Sequence, residues 1–168
     1  MGRKIVITSG KGGVGKTTLT ASLGIAIAET GKKVVLVDAD IGLNNLDVVL
    51  AVENKVVYDV LDVISGKCRL KQALIQDVDN PTLYVLPSAK IQDSPLITAC
   101  SFRNVVDALT LNFDFVIIDC PAGIDNGFHR AVSAATEAIV VTTPHISAVR
   151  DADKVLSILS GYCLMSVG

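Results

Sequence analysis

The cysteines of this chain form no metal-binding pair. The four, at positions 68, 100, 120 and 163, include no C-x-x-C spacing, and the two histidines are not spaced as ligands. A zinc site is therefore excluded, and reduced thiols are expected. Charge of one sign is also missing. Fifteen basic against 17 acidic residues leave a net charge of -2, which gives no electrostatic case for nucleic acid as the main partner. No apolar run approaches the roughly 18 residues that a membrane span needs. Met1-Gly2-Arg3-Lys4 leads into an apolar run with no signal segment before it, and Val6 spoils the Met-Gly acylation pattern. A cytoplasmic protein is expected. With half of its 168 residues hydrophobic, the chain can bury about 70% of its unfolded surface, enough for one core and one domain.

The informative stretch is Ile5-Val6-Ile7-Thr8-Ser9-Gly10-Lys11-Gly12-Gly13-Val14-Gly15-Lys16-Thr17-Thr18. An apolar run breaks into glycines and then into helix formers, which predicts strand, loop and helix. From Gly10 to Thr17 the spacing is G-x-x-x-x-G-K-[ST], and each position has a task on a polyphosphate. Glycines at 10, 12, 13 and 15 let successive backbone N-H groups turn inward around anionic oxygens. The helix opening near Lys16 aims its positive end at the same place, Lys16 adds a full charge, and the Thr17 hydroxyl is placed to ligate Mg²⁺. Charge-assisted bonds of this kind are worth roughly 1.5 to 3 kcal/mol each, so several together hold a nucleotide. Lys11 is a second cation within the loop; taken alone, it reads equally as a solvated lysine on a turn.

Further along, residues 17–30 predict a helix capped near Gly31, and residues 33–38 a strand buried on both faces, completing a βαβ unit. Asp38-Ala39-Asp40 through Asp47 then forms a polar loop with three carboxylates at the end of a parallel strand, where ligands of open α/β sheets bind. Position alone leaves Asp40 open to a turn or capping role. Apolar spacing predicts short helices over 58–65 and 70–75, a strand over 83–88 and a helix over 102–111; the stretch around Pro95 has no clear assignment. Phe115-Val116-Ile117-Ile118-Asp119 has the form of a Walker B strand. An aspartate in this position commonly holds Mg²⁺ through water, and Pro121-Ala122-Gly123 follows as a loop expected to move against a γ-phosphate. Cys120 reads as a small buried side chain with no activating base near it. A last buried strand is predicted over 138–144 and an amphipathic helix over 147–159, with Ala148, Ala152, Val155 and Leu159 on its apolar face. Beyond Ser160 the pattern stops.

Together, Ser9-Gly10-Lys11-Gly12-Gly13-Val14-Gly15-Lys16-Thr17-Thr18, Asp38-Ala39-Asp40-Ile41-Gly42-Leu43, Asn45-Leu46-Asp47, Val57-Tyr58-Asp59, Asp119-Cys120-Pro121-Ala122-Gly123-Ile124 and residues 147–153 resemble the MinD family of septum-site-determining ATPases, within the deviant-Walker group that includes ParA. Lys11 separates that group from ordinary P-loop proteins, and the segments after Asp40 and Pro144 favour MinD over ParA. The resemblance implies an α/β P-loop NTPase with a mostly parallel sheet and helices on both faces, binding ATP and Mg²⁺. By the same resemblance, Lys11 matches the signature lysine that reaches the phosphates of a partner subunit in a nucleotide-sandwich homodimer. Lys16 matches the β/γ-phosphate lysine. Thr17, with Asp40 and Asp119, matches the metal site. Asp40 is also the switch residue that positions the attacking water, and Asp38 supports it.

The implied cycle is ATP-driven dimerisation, peripheral attachment to the inner membrane, recruitment of a MinC-type division inhibitor, and hydrolysis stimulated by a MinE-type partner. Two departures stand out: His145 occupies a position where the family usually has glutamate, and the family continues past this chain with further strands, a base-recognition loop and a lipid-binding helix. The expectation is therefore a single partial P-loop domain over 1–168, family-like over 1–160 with an atypical tail over 161–168, the C-terminal part of the fold missing. A nucleotide-binding fragment without the membrane cycle and a ParA-like partition ATPase are the alternatives. A nitrogenase-type iron protein would need paired cysteine motifs that are absent here.

Overall fold

The computed structural model describes residues 1–168 apart from Asn44 and residues 91–93. Asn44, expected in the acidic loop, and residues 91–93 of the stretch around Pro95 thus lie outside the described residues. Strands β1 (Arg3–Thr8), β2 (Val34–Asp38), β3 (Ile75–Gln76), β4 (Leu83–Leu86), β5 (Phe115–Asp119), β6 (Glu137–Val140) and β7 (Ser166–Val167) form one sheet in the order β3-β4-β2-β5-β1-β6-β7. Every pairing is parallel except that of β3 with β4. The helices are α1 (Lys16–Glu29), α2 (Asn45–Val49), α3 (Val60–Ile64), α4 (Leu70–Ala73), α5 (Ala99–Leu109), α6 (Asn126–Ala134) and α7 (Ile146–Leu159).

Strand alternation divides the core in two. Ile5, Ile7, Leu36 and Ile117 pack on one face with Ala21 and Ala28 of α1 and Leu46 of α2. Val6, Val35, Val37, Val116 and Ile118 pack on the other with Phe102 and Val106 of α5, Phe128 and Val132 of α6, and Val155 and Leu159 of α7. Helices therefore cover both faces, as expected of a central parallel sheet whose strands are apolar along their whole length. Parallel register sets Asp38 directly opposite Asp119 at the carboxyl ends of β2 and β5, beside the loop that joins β1 to α1.

The structure corrects several expectations. The 70–75 helix ends at Ala73; Leu74 is extended and Ile75 pairs antiparallel with Val85, a pairing suited to a β-branched side chain. Tyr58 lies outside α3, because Asp59 accepts the N-H groups of Leu61 and Asp62 and fixes the helix start. The helix expected over 102–111 begins three residues earlier, at Ala99, after Thr98 caps it through the Ser101 N-H. The loop after β2 turns helical at Asn45. Of the last expected strand, only Ala138 is fully buried, and α6 is an element that the apolar spacing did not announce. Residues 161–168 are more than a patternless tail: Ser166 and Val167 pair parallel with Glu137 and Ala138, and the Tyr162 hydroxyl hydrogen-bonds His129 Nδ1 on α6. Among the described residues, no helix is long and apolar enough to cross a membrane.

Candidate functional site

Between β1 and α1 the chain turns sharply. Gly13 and Gly15 take φ of 76° and 91°, the left-handed region that side chains disfavour. Ser9 steadies the turn by donating its hydroxyl to the Lys11 carbonyl at 2.9 Å. Gly15 is also the N-cap of α1, with no side-chain cap bond and no acidic residue in the first turn, so the orphan N-H groups and the positive helix end stay available to an anion. Gly10 is there for a different reason. A Cβ on it would stand 2.4 Å from the Asp151 carbonyl oxygen of α7, a close backbone approach that only glycine permits. Gly12 meets neither constraint; its nearest neighbour, Ala122 Cβ, would be at ordinary contact distance of 3.8 Å.

A cavity of about 460 Å³ opens against this turn, within the range of small-ligand sites. Lys11, Gly12, Gly13, Gly15, Lys16, Thr17, Thr18, Asp40 and Ala122 all line it. Of the other expected site residues, Gly10 is held against α7, Pro121 faces a neighbouring cavity, and Val14, Asp38, Asp119 and Gly123 are not on the wall. Asp119 lies just behind it. The Thr17 hydroxyl donates to Asp119 Oδ2 at 2.7 Å, and Lys16 Nζ stands 3.4 Å from Oδ1. Thr20, one turn further along α1 and fully buried, places its hydroxyl 3.2 Å from the same Oδ1 and 2.9 Å from the Lys16 carbonyl.

Asp38 is also buried, but its carboxylate accepts backbone N-H groups, from Asp40 at 2.9 Å and Leu46 at 3.2 Å. Burial raises its pKa to about 7, with those two bonds pulling the other way and the carboxylates of Asp119 and Asp40 adding to the rise. Asp38 thus ties the start of α2 to the end of β2 and leaves Asp40 half-buried on the cavity wall. Burial also raises the Asp40 pKa; the Lys16 ammonium opposes this and Asp119 reinforces it. Asp47, the third acid of the loop, turns away from the cavity: it is buried, accepts the Val48 N-H, and has its pKa raised by burial. Burial pushes the Cys120 thiol to about 12, so it is a neutral packing group at physiological pH.

Motif spacing missed Ser9, Leu43 and Asn45 on the wall, and Thr20 behind it. Of these, Thr20 had a readable signal, since a hydroxyl at i+4 from Lys16 shares its helix face.

Comparison with known proteins gives the family. Residues 2–161 match the family model described as an AAA domain. The septum site-determining protein MinD of Bacillus subtilis is 55% identical over 160 residues, covering 95% of this chain and 60% of that protein. MinD of Pyrococcus horikoshii, solved with Mg-ADP, superposes with a TM-score of 0.88 at 38% identity, over 99% of this chain and 68% of that one. The Aquifex aeolicus MinC:MinD complex gives 0.87 at 44% identity, over 98% and 66%. The chain spans about 60% of the length of the curated relatives it matches. On the AAA-domain match, the MinD-like fold and the cation-hydroxyl-carboxylate cluster behind a glycine loop, the chain belongs to the MinD family.

Proposed function

We propose that this chain is a Mg²⁺-dependent ATPase of the MinD type, an ATP-driven dimerisation switch that serves division-site placement by recruiting a division inhibitor. The observation that carries this reading is the convergence of Lys16 and Thr17 on Asp119 at the open end of α1. At 3.4 Å the ammonium is held more loosely than the 2.7 to 2.9 Å of a good charge-assisted bond, so it is free to exchange the carboxylate for phosphate oxygens. Thr17 and Asp119, with Asp40 across the cavity, are the residues that would hold the metal. Few protein oxygens beside substrate phosphates are what Mg²⁺ ordinarily takes, so the donor set fits. Bound there, Mg²⁺ would offset charge on the phosphoryl oxygens.

Asp40, made more basic by its half-buried position, orients the attacking water. Lys11 is exposed and lines the cavity, which supports a role for it on the nucleotide of a second copy. Leu43 and Ile124 are exposed apolar side chains on the two flanking loops, which supports burial of this face in a homodimer. The MinC-type partner is supported by the Aquifex complex. The MinE-type stimulator and peripheral membrane attachment rest on the family resemblance. Calorimetric titration with a non-hydrolysable ATP analogue, beside a phosphate-release assay, tests the reading: the parent chain binds and turns over, and Lys16→Ala binds nothing. Nucleotide affinity unchanged by Lys16→Ala would overturn it.

A further inference from the structure

A second cavity, of about 790 Å³, lies beside the first and shares its wall. Asp40 lines both, Ala122 faces the first and Pro121 the second, so the peptide after Asp119 is the partition between them. Arg130, from α6, lines the second cavity and forms no ion pair among the described residues. Its Nε-H is buried without an acceptor there, and burial lowers the pKa of its half-buried guanidinium. Gly127 makes room for this arrangement. A Cβ at Gly127 would stand 2.8 Å from Pro121 Cγ and 3.7 Å from an Arg130 terminal nitrogen, so the partition and the guanidinium both border the bare Cα of Gly127. A buried N-H with no acceptor is costly, and the rest of this half-buried guanidinium is paired with no carboxylate among the described residues.

We propose that this cavity is an oxyanion subsite by which orthophosphate leaves after hydrolysis, with Arg130 as its receptor. The proposal rests on the ATPase reading. Hydrolysis would generate the tetrahedral anion beside Asp40 and Ala122, and the loop of Pro121 and Ala122 lies between that cavity and the one that Arg130 lines. A planar guanidinium fork matches a phosphate edge. Asp40 and Asp125, on the same walls, repel an anion and keep its residence short, as an exit requires.

Inorganic phosphate is titrated by ³¹P NMR into protein loaded with Mg-ADP, so that the glycine loop is already filled. Phosphate should bind the parent chain. Arg130→Gln should weaken it about tenfold, as expected when one charged hydrogen-bond partner is lost, and Arg130→Lys by less. Asp125→Asn, which removes a repelling charge, should tighten it. In a single turnover, Arg130→Gln should delay phosphate appearance at a fluorescent sensor and leave cleavage, read by acid quench, unchanged. Equal phosphate affinity in the parent and Arg130→Gln, both melting cooperatively, overturns the proposal, as does unchanged affinity in Asp125→Asn. If ADP does not bind at all, the ATPase reading fails, and the same Arg130 comparison made in a Lys16→Ala background still reports on the subsite.

Discussion

Asp38 and Asp119 are the same residue type, face each other across adjacent parallel strands, and are equally buried. Their surroundings differ. The side chains of Lys16, Thr17 and Thr20 surround Asp119, whereas Asp38 is met by the backbone N-H groups of its own downstream loop. A carboxylate held by movable ammonium and hydroxyl groups can exchange partners when a nucleotide arrives. One held by backbone amides can release them only if the loop itself moves. On the proposed function Asp119 would handle the ligand, whereas Asp38 fastens the segment that carries Asp40.

The strongest way to break this contrast is to remove the ammonium from the Asp119 side. Lys16→Ala should abolish nucleotide binding in a calorimetric titration. Lys11→Ala, acting on a cation outside the cluster, should leave binding measurable and cut turnover by about 10³ or more, by analogy with arginine fingers. Next come the carboxylates. Asp119→Ala should weaken the Mg²⁺ dependence of ATP binding, whereas Asp40→Ala should keep ATP and Mg²⁺ and stop hydrolysis. Equal loss of Mg²⁺ affinity in both would remove the division of labour.

The contrast is sharpened by pH. With the folded pKa of Asp38 raised from 3.8 to about 7, the folded state holds that proton more tightly than the unfolded chain. Its contribution is greatest below about pH 4 and is lost as pH climbs to about 7, by at most about 4 kcal/mol. Thermal melts of Asp38→Asn should lack that part of the pH slope, while a slope identical to the parent's would show that Asp38 is not the titrating group. The smallest expected effect is Thr20→Val. A buried hydroxyl lost beside Asp119 should cost about 1 kcal/mol in denaturant melts and leave ATP affinity near that of the parent.

The central strands, the glycine loop and Asp119 were legible because each is local: unbroken apolar runs predict buried parallel strands, and the motif lies within eight consecutive residues from Gly10 to Thr17. What was not legible depends on contacts across the chain. Thr20 finds Asp119 from 99 positions away. β7 is two residues long, too short for any alternation, and exists because β6 offers it an edge. α6 buries Phe128, Ala131, Val132 and Ala134, but its glycine, histidine and arginine dilute the stripe, and its N-cap makes no side-chain bond to mark the start. Asp47 belongs to the same acidic run as Asp40, and only packing turns one inward and leaves the other on the cavity wall.

The bare Cα of Gly10 against the Asp151 carbonyl has a mechanical consequence. With no side chain as a cushion, the phosphate loop and the second turn of α7 touch backbone to backbone, and a stiff contact transmits displacement where a flexible side chain would absorb it. Pressure on α7 from outside should then be felt at the loop. The two segments should accordingly exchange their amide hydrogens as a single cooperative unit. Replacing Gly10 with alanine would wedge them apart, giving α7 and the loop separate exchange rates.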